Sequence, residues 1–309
     1  MDRISTVGSY SAVLANLMAA QQRQNEAGQQ VSTQKNGTSL KEYARNAETL
    51  TAMRAVDSRL NSYLEQNSLI ADKLSTQDIA LNQSADAANQ ARQAIADALA
   101  TDRADTLIVD LQGHFTNLIG GLNAKYDGKY LFSGGQVDTQ PVSATKLSDL
   151  TDPLKTIPDF FHNDSYTTQA KLDDSTTVTT GLAADKLGTA ALTAFKAIEA
   201  FNESGAGPFS GKLTAAQRTF LEGQLAGWST IHSDLVNSAA ANGTVQKRVD
   251  GVKSDLTSRQ ISITSMIGGV TDADLAEAST KLSQAQLAVQ ASAHVFQTLQ
   301  SSSLLNFLR

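Results

Sequence analysis

MRAVDSRLNSYLEQNSLIADKLSTQDIALNQSADAANQARQAIADA, residues 53–98, decides the fold. Met53, Leu60, Leu74, Leu81, Ala88 and Ile95 lie on one seven-residue frame, with Asn67 in the remaining slot. Val56, Tyr63, Ile70, Ala91 and Ala98 lie three residues further on, with Gln77 and Ser84 between them. Apolar residues at alternating steps of three and four mark the seam of a coiled helix. The frame holds for about six heptads. Neither Gly nor Pro interrupts it. A helix of about 55 residues rises about 80 Å, too long for the interior of a compact domain. Asn67, Gln77 and Ser84 read as polar slots that fix the register of the seam.

A second frame lies toward the other end. Val249, Leu256, Ile263 and Val270 are seven apart, with Val252, Arg259 and Met266 at the offset of three. Met53, Val56, Leu60, Leu74, Leu81, Val249, Leu256 and Ile263 are therefore the predicted seam of a helical rod. Asn242-Gly243 predicts a turn before this segment, and Gly268-Gly269 a stop after it. Thr271-Asp272-Ala273-Asp274 reads as a cap opening the last helix. On that helix Leu275, Leu282, Val289 and Phe296 are seven apart, with Ala278, Ala285, Ser292 and Leu299 at the offset of three.

The opposite end mirrors this. Ile4, Val7, Leu14, Leu17 and Met18 share a helical face, and a Gln-rich stretch continues to Val31. Asn36-Gly37 breaks the pattern, and a helical turn follows near Ser39–Tyr43. The chain finishes in Leu304, Leu305, Phe307 and Leu308, an apolar tip that needs a cover. The predicted assembly set is Ile4, Val7, Leu14, Leu17, Leu275, Leu282, Val289, Phe296, Leu299 and that tip. The alanines and serines between them bury little area each, at about 25 cal/mol per Å². Such ends are expected to order when subunits stack.

The middle is different. Thr101–Asp105 reads as a break, and Leu107, Leu111, Phe115, Leu118, Leu122 and Tyr126 form a helical stripe ended by Asp127-Gly128. Lys129–Ser133 alternates as a strand does, and Gly134-Gly135 turns it. Three of the four prolines, Pro141, Pro153 and Pro158, follow. Thr176–Thr180 is β-branched and strand-like. Helices are predicted over 186–201 and from Thr214 to about Ala241, the latter carrying the sole tryptophan, Trp228. The expected fold is mainly α: a long coiled-coil-like helical bundle from both termini with a small β-containing domain inserted in the middle. Its divisions are 1–44, 45–135, 136–185, 186–270 and 271–309.

Composition removes several functional classes. The formal charge of −6 and the pI near 5.2 favour neither nucleic acid nor an anionic membrane. No apolar run approaches the roughly 18–20 residues of a membrane span. Without cysteine there are no disulfides or thiolate metal sites. Ala12–Ala20 is apolar apart from Asn16, but only Arg3 precedes it as a basic residue. The stripe also runs on past it, so no cleaved signal peptide is expected. His114, His162, His232 and His294 have no ligand spacing among them. Gly211-Lys212 lacks the glycine five before it and the Ser/Thr after it that a phosphate loop needs. No Gly-x-Ser-x-Gly elbow occurs. No catalytic, cofactor-binding or metal residue is predicted, and the chain is not read as an enzyme.

Three separated motifs carry a family likeness. Arg3-Ile4-Ser5-Thr6, with Leu14 and the helix ending Val31-Ser32-Thr33, opens the chain. NAKYDGKYLFSGGQVD at Asn123–Asp138 contains Tyr130, Phe132, Gly134 and Gly135. DADLAEASTKLSQAQLAVQ at Asp272–Gln290, with the Leu304–Leu308 tip, closes it. In this order they resemble the bacterial flagellin-like proteins, most closely the hook-associated members at the hook–filament junction. The likeness covers roughly residues 1–141 and 214–309. One stretch departs from it: the family usually has a Gly-Lys-Arg stretch and a Pro/Asp-rich loop where Gln34–Arg45 reads QKNGTSLKEYAR.

The resemblance implies terminal helices forming an inner tubular layer, a helical rod outside it, and residues 136–185 facing outward. It implies an extracellular place in the flagellum, reached by type III export. The implied partners are copies of the chain in a ring or tubular stack, the first hook-associated protein, flagellin, and a cytoplasmic export chaperone. Two alternatives stand beside it. One is a filament flagellin that polymerises on itself. The other is a surface-exposed protein binding a glycan or host molecule through Phe160, Phe161 and Tyr166.

Overall fold

A computed structural model describes residues 2–307, and the side chains of residues 10–300. The described residues form six α-helices and two small antiparallel sheets of two strands each, a mainly α fold as expected. In chain order the helices are α1 (Asp2–Thr33), α2 (Ala47–Thr101), α3 (Leu107–Leu122), α4 (Ala184–Asn202), α5 (Ala215–Thr271) and α6 (Leu275–Phe307). Strands β1 (Lys125–Tyr126) and β2 (Lys129–Tyr130) make one sheet, β3 (Gln169–Lys171) and β4 (Thr177–Thr179) the other. The chain divides into two compact units, residues 1–61 with 258–309, and residues 62–257.

Helix α2 is the one read from the opening heptads. It stops at Asp102, which takes the left-handed conformation (φ 56°) while the Arg103 amide closes back on the Ala98 carbonyl at 3.1 Å. Asp tolerates that conformation better than most residues, because its short side chain bonds locally.

Three predicted boundaries are corrected. Helix α5 is continuous through Asn242-Gly243 and Gly268-Gly269. A mid-helix glycine costs only about 1 kcal/mol relative to alanine. Asn242 is buried and donates to the Leu74 carbonyl at 2.9 Å, so it serves packing rather than a turn. Helix α3 ends at Leu122 rather than at Asp127-Gly128. Those two residues, at φ 48° and 75°, form the tight turn of the β1–β2 hairpin, and Tyr126 stands in its first strand.

In the 62–257 unit the core is aromatic. Phe115 of α3 meets Phe195 of α4 edge-on at 5.3 Å, and Phe195 meets Trp228 of α5 at 4.6 Å. All three are fully buried. Asn67 and Gln77, expected as register residues, have another task. Asn67 donates to the Leu172 carbonyl at 2.9 Å and Gln77 to the Thr180 carbonyl at 3.1 Å. They hold the β3–β4 hairpin on α2. Ser84 lies where α3 comes closest: a Cβ on Gly121 would fall 2.3 Å from its hydroxyl and 2.8 Å from the Ala80 carbonyl.

The Tyr130–Gly135 motif is also structural. Phe132 is fully buried, and its carbonyl accepts the Ala184 amide at 2.9 Å. Gly134 has φ 70°, and the Gly135 amide donates to the Asp164 carboxylate at 2.8 Å. Tyr130 lies under the Lys125 ammonium, 4.3 Å from ring to nitrogen.

Aspartates hold much of the segment between β2 and α4. Asp149 accepts the amides of Thr145 and Lys146 at 2.8 and 2.9 Å. Asp159 accepts the hydroxyl and amide of Thr156 at 2.6 and 2.7 Å. Asp164 accepts Gly135 and Tyr166, and Asp173 accepts Ser175 and Thr176. The Thr156 hydroxyl and amide hold the Asp159 carboxyl below the usual aspartate value, as the Gly135 and Tyr166 amides do for Asp164. At Asp149 and Asp173 burial opposes the shift, but the hydrogen bonds together outweigh it. Groups with depressed pKa values contribute stability above the unfolded value and lose it as pH falls. The amides of Thr145, Thr156, Tyr166 and Thr176 are therefore expected to lose hydrogen-exchange protection below about pH 4, ahead of the aromatic core. Equal loss in both regions would contradict this.

Glu199 of α4 has the opposite sign. It is buried, and burial, then Glu203, pushes its carboxyl up. Stability from this group is greatest at low pH and falls as pH rises through the raised value. Glu199→Gln is expected to raise the melting temperature at neutral pH more than at pH 4; a pH-independent change would refute it.

Candidate assembly surface

Helices α1 and α6 pack along each other within the 1–61 and 258–309 unit. Burial on α1 recurs at Val13, Leu17, Ala20, Gln24, Ala27 and Val31, in alternating steps of four and three. On α6 it recurs at Ala278, Leu282, Ala285, Val289, Ser292, Phe296 and Leu299 in the same rhythm. That is a coiled-coil seam on both partners. Its most buried members are small: Ala20, Ala27, Ala278 and Ala285 are all under a tenth exposed. Small residues let the two backbones approach closely, at the cost of little apolar area per residue. Tyr10 and Phe296 meet at 4.9 Å between ring centroids.

The expected α6 frame is the observed one, except that Leu275, next to the N-terminus of the helix, is 43% exposed. On α1 the predicted face is only partly the seam. Leu17 lies in it, but Leu14 and Met18 lie outside, 39% and 62% exposed. The side chains of Ile4, Val7, Leu304, Leu305 and Phe307, and all of Leu308, fall outside the described residues. Rod-seam residues Leu60, Leu74, Leu81, Val249 and Leu256 are buried, while Met53, Val56 and Ile263 are half-buried. Sequence reasoning favoured the larger Leu14 over the alanines, because a leucine announces a seam and an alanine does not.

What remains uncovered is a second apolar set. Tyr10, Leu14 and Met18 follow one another at steps of four along α1. Leu287 and Val295 on α6 are 65% and 48% exposed, and Ile261 and Met266 on α5 are 66% and 48%. Exposed apolar residues in such rows mark surfaces that bind another protein. Beside the seam runs a groove of about 600 Å³ with Ala27, Ala285 and Ala288 in its floor and Arg23, Glu26 and Lys281 on its rim. Among the described residues, no cluster of three potential metal ligands occurs, and no helix is long and apolar enough to cross a membrane.

Past α1, the chain is strapped to the α5–α6 turn. The Asn36 amide donates to the Thr271 carbonyl at 2.8 Å, and the Ala273 amide to the Gln34 carbonyl at 3.0 Å. The Asn36 side chain donates to the Asp272 carbonyl at 2.8 Å, and Lys35 pairs with the Asp272 carboxylate. Lys35, then the Thr271 hydroxyl, holds that carboxyl below the usual value. Asp274 opens α6 by accepting the amides of Ala276 and Glu277 at 2.9 and 3.1 Å, as the capping reading anticipates.

One glycine in α1 has room to change. A Cβ on Gly28 would meet only Leu282, at an ordinary contact of 4.0 Å. Gly28→Ala is expected to stabilise the helix pair by about 0.5–1 kcal/mol, read from the unfolding midpoint of the full chain. A destabilised variant would mean the helices are closer there than described.

The fold and sequence comparisons agree with this geometry. The bacterial flagellin N-terminal helical region matches residues 4–137, and the bacterial flagellin C-terminal helical region matches residues 229–308. Together they take in more than half of the chain. Among curated proteins no match was found. Two solved structures share the fold. One, from Vibrio parahaemolyticus and assigned as a flagellar hook-associated protein, is 14% identical with a TM-score of 0.59, covering 73% of this chain and 97% of its own. The other, FlgL of Bacillus cereus, is 12% identical with a TM-score of 0.55, covering 71% of this chain and 99% of its own. With flagellin regions at both ends, in order, and the α1–α6 pair built from them, the chain belongs to the bacterial flagellin family and is a structural protein rather than an enzyme.

Proposed function

We propose that this protein is an adaptor of the bacterial flagellum, built into the junction between hook and filament. The observation that carries the proposal is the apolar pair Leu14 and Met18, left open one and two turns beyond Tyr10 on a terminal helix pair already closed by its own alanine seam. A seam satisfied within the chain needs no further partner, whereas a second apolar row does.

In this reading α1 and α6, with Leu275, Leu282, Val289, Phe296 and Leu299, form the inner assembly layer in a ring or tubular stack of copies. Ile4, Val7 and the Leu304–Leu308 tip extend that layer. Divisions 45–135 and 186–270 form the rod, and 136–185 face outward. The first hook-associated protein lies on one side and flagellin on the other. A cytoplasmic chaperone covers the apolar α6 before export, which uses no cleaved signal peptide. The glycan-binding reading loses its platform, because Phe160 is buried and Phe161 half-buried, leaving Tyr166 alone in the open.

Immunogold labelling of intact flagella tests the proposal. A single narrow band where hook meets filament is expected. Label along the whole filament would make the protein a filament flagellin, and no label would remove it from the flagellum.

A further inference from the structure

We infer that Asn36-Gly37 is a self-modifying site, where spontaneous deamidation releases the strap between α1 and the α5–α6 turn. The chain contains two Asn-Gly pairs, and they sit in opposite settings. Asn242-Gly243 lies within α5, with Asn242 buried. There each amide is committed to the carbonyl four residues back, and the helical backbone keeps it from its neighbour's side chain. Asn36 lies exposed in a bend outside any helix.

The chemistry needs only these two residues and water. The Gly37 amide nitrogen attacks the Asn36 side-chain carbon and forms a C–N bond. The Cγ–Nδ2 bond breaks, and ammonia leaves with the proton given up by Gly37. Water then opens the cyclic imide to aspartate or isoaspartate. Glycine suits this step because no Cβ shields its nitrogen.

Two hydrogen bonds restrain the reaction in the folded chain. The Gly37 amide, the nucleophile, donates to the Tyr43 hydroxyl at 3.1 Å, and that hydroxyl donates to the Gly37 carbonyl at 2.6 Å. The Asn36 amide group, the leaving group, donates to the Asp272 carbonyl at 2.8 Å. The product cannot keep the second bond, because a carboxylate has no proton to donate. It also sets a new negative charge beside Asp272. Isoaspartate also lengthens the backbone by one carbon between residues 36 and 37, which pulls the chain out of line with the Gly37–Tyr43 clasp that follows the strap. Conversion at Asn36 therefore opens the strap irreversibly, while Asn242 is untouched.

The full-length chain, aged in neutral buffer, is digested and both peptides are followed by mass spectrometry and isoaspartyl-specific methyl labelling. Conversion is expected at residue 36 and not at 242, with both converting in denaturant. Tyr43→Phe frees the Gly37 amide and should speed conversion at 36 by about fivefold, the weight of one neutral hydrogen bond. Asn36→Asp, which mimics one product, should speed exchange of the Ala273 amide. Equal conversion at the two sites, an intact residue 36 in the folded chain, or a Tyr43→Phe rate equal to the parent's would overturn the site assignment. Unchanged Ala273 exchange in Asn36→Asp would overturn the release of the strap.

Discussion

Trp228→Ala is expected to cost the 62–257 unit about 3–5 kcal/mol, the range for emptying a fully buried aromatic site. The indole has no exposed surface and stands edge-on to Phe195, which in turn stands edge-on to Phe115. Helices α3, α4 and α5 each supply one ring, so its removal unfastens three elements at once. The indole N–H is buried with no hydrogen-bond acceptor, so it contributes nothing that phenylalanine lacks. Trp228→Phe should therefore keep more than half of the lost stability. Denaturant unfolding of both variants decides it. A loss below about 1 kcal/mol in Trp228→Ala would mean the three rings are not the core.

Ala285→Asp is expected to abolish incorporation into flagella while leaving the 62–257 unit folded. Ala285 is 6% exposed in the α1–α6 seam and shares a groove floor with Ala27. A carboxyl there loses its water and gains no designed partner, which costs roughly 2–4 kcal/mol. The seam gains little from each small residue, so it cannot absorb that loss. The nearby Lys281 and Arg23 on the groove rim are the groups that could soften the effect. Ala285→Ser, of similar size and uncharged, is the control. Circular dichroism and flagellar fractionation of the two variants give the answer. Normal incorporation of Ala285→Asp would remove the seam from the account.

Much of this fold was legible in the heptads. The frame from Met53 to Ile95 lies wholly within α2, which runs one to two turns further at each end, and Val249, Leu256 and Ile263 mark part of α5. Glycine was the source of error in α5. Asn242-Gly243 and Gly268-Gly269 are turn signals locally, but packing along a long helix outweighs about 1 kcal/mol per glycine. At Asp127-Gly128 the turn was right, and only its owner was wrong: a hairpin, not a helix end.

The assembly surface was half legible. Heptad spacing found the α6 seam, since Leu282, Val289 and Phe296 stand out. On α1 spacing and size favour Leu14, which is 39% exposed, over Ala20 and Ala27, which are buried. The actual seam uses Ala20, Gln24 and Ala27, which carry no hydropathy signal of their own. Asn67 and Gln77 stand out as polar slots in the frame, but their acceptors lie more than a hundred residues away in sequence. No local pattern can reveal such a partner.

The central claim is that the uncovered row on α1 is the surface joining one subunit to the next. Site-specific photo-crosslinking in assembled flagella tests it directly, with a photoreactive residue at Met18 and, as the control, at Leu154, which is 92% exposed in the inserted segment. The account predicts adducts between separate chains from Met18 and far fewer from Leu154. Adducts from Leu154 with none from Met18 would contradict it.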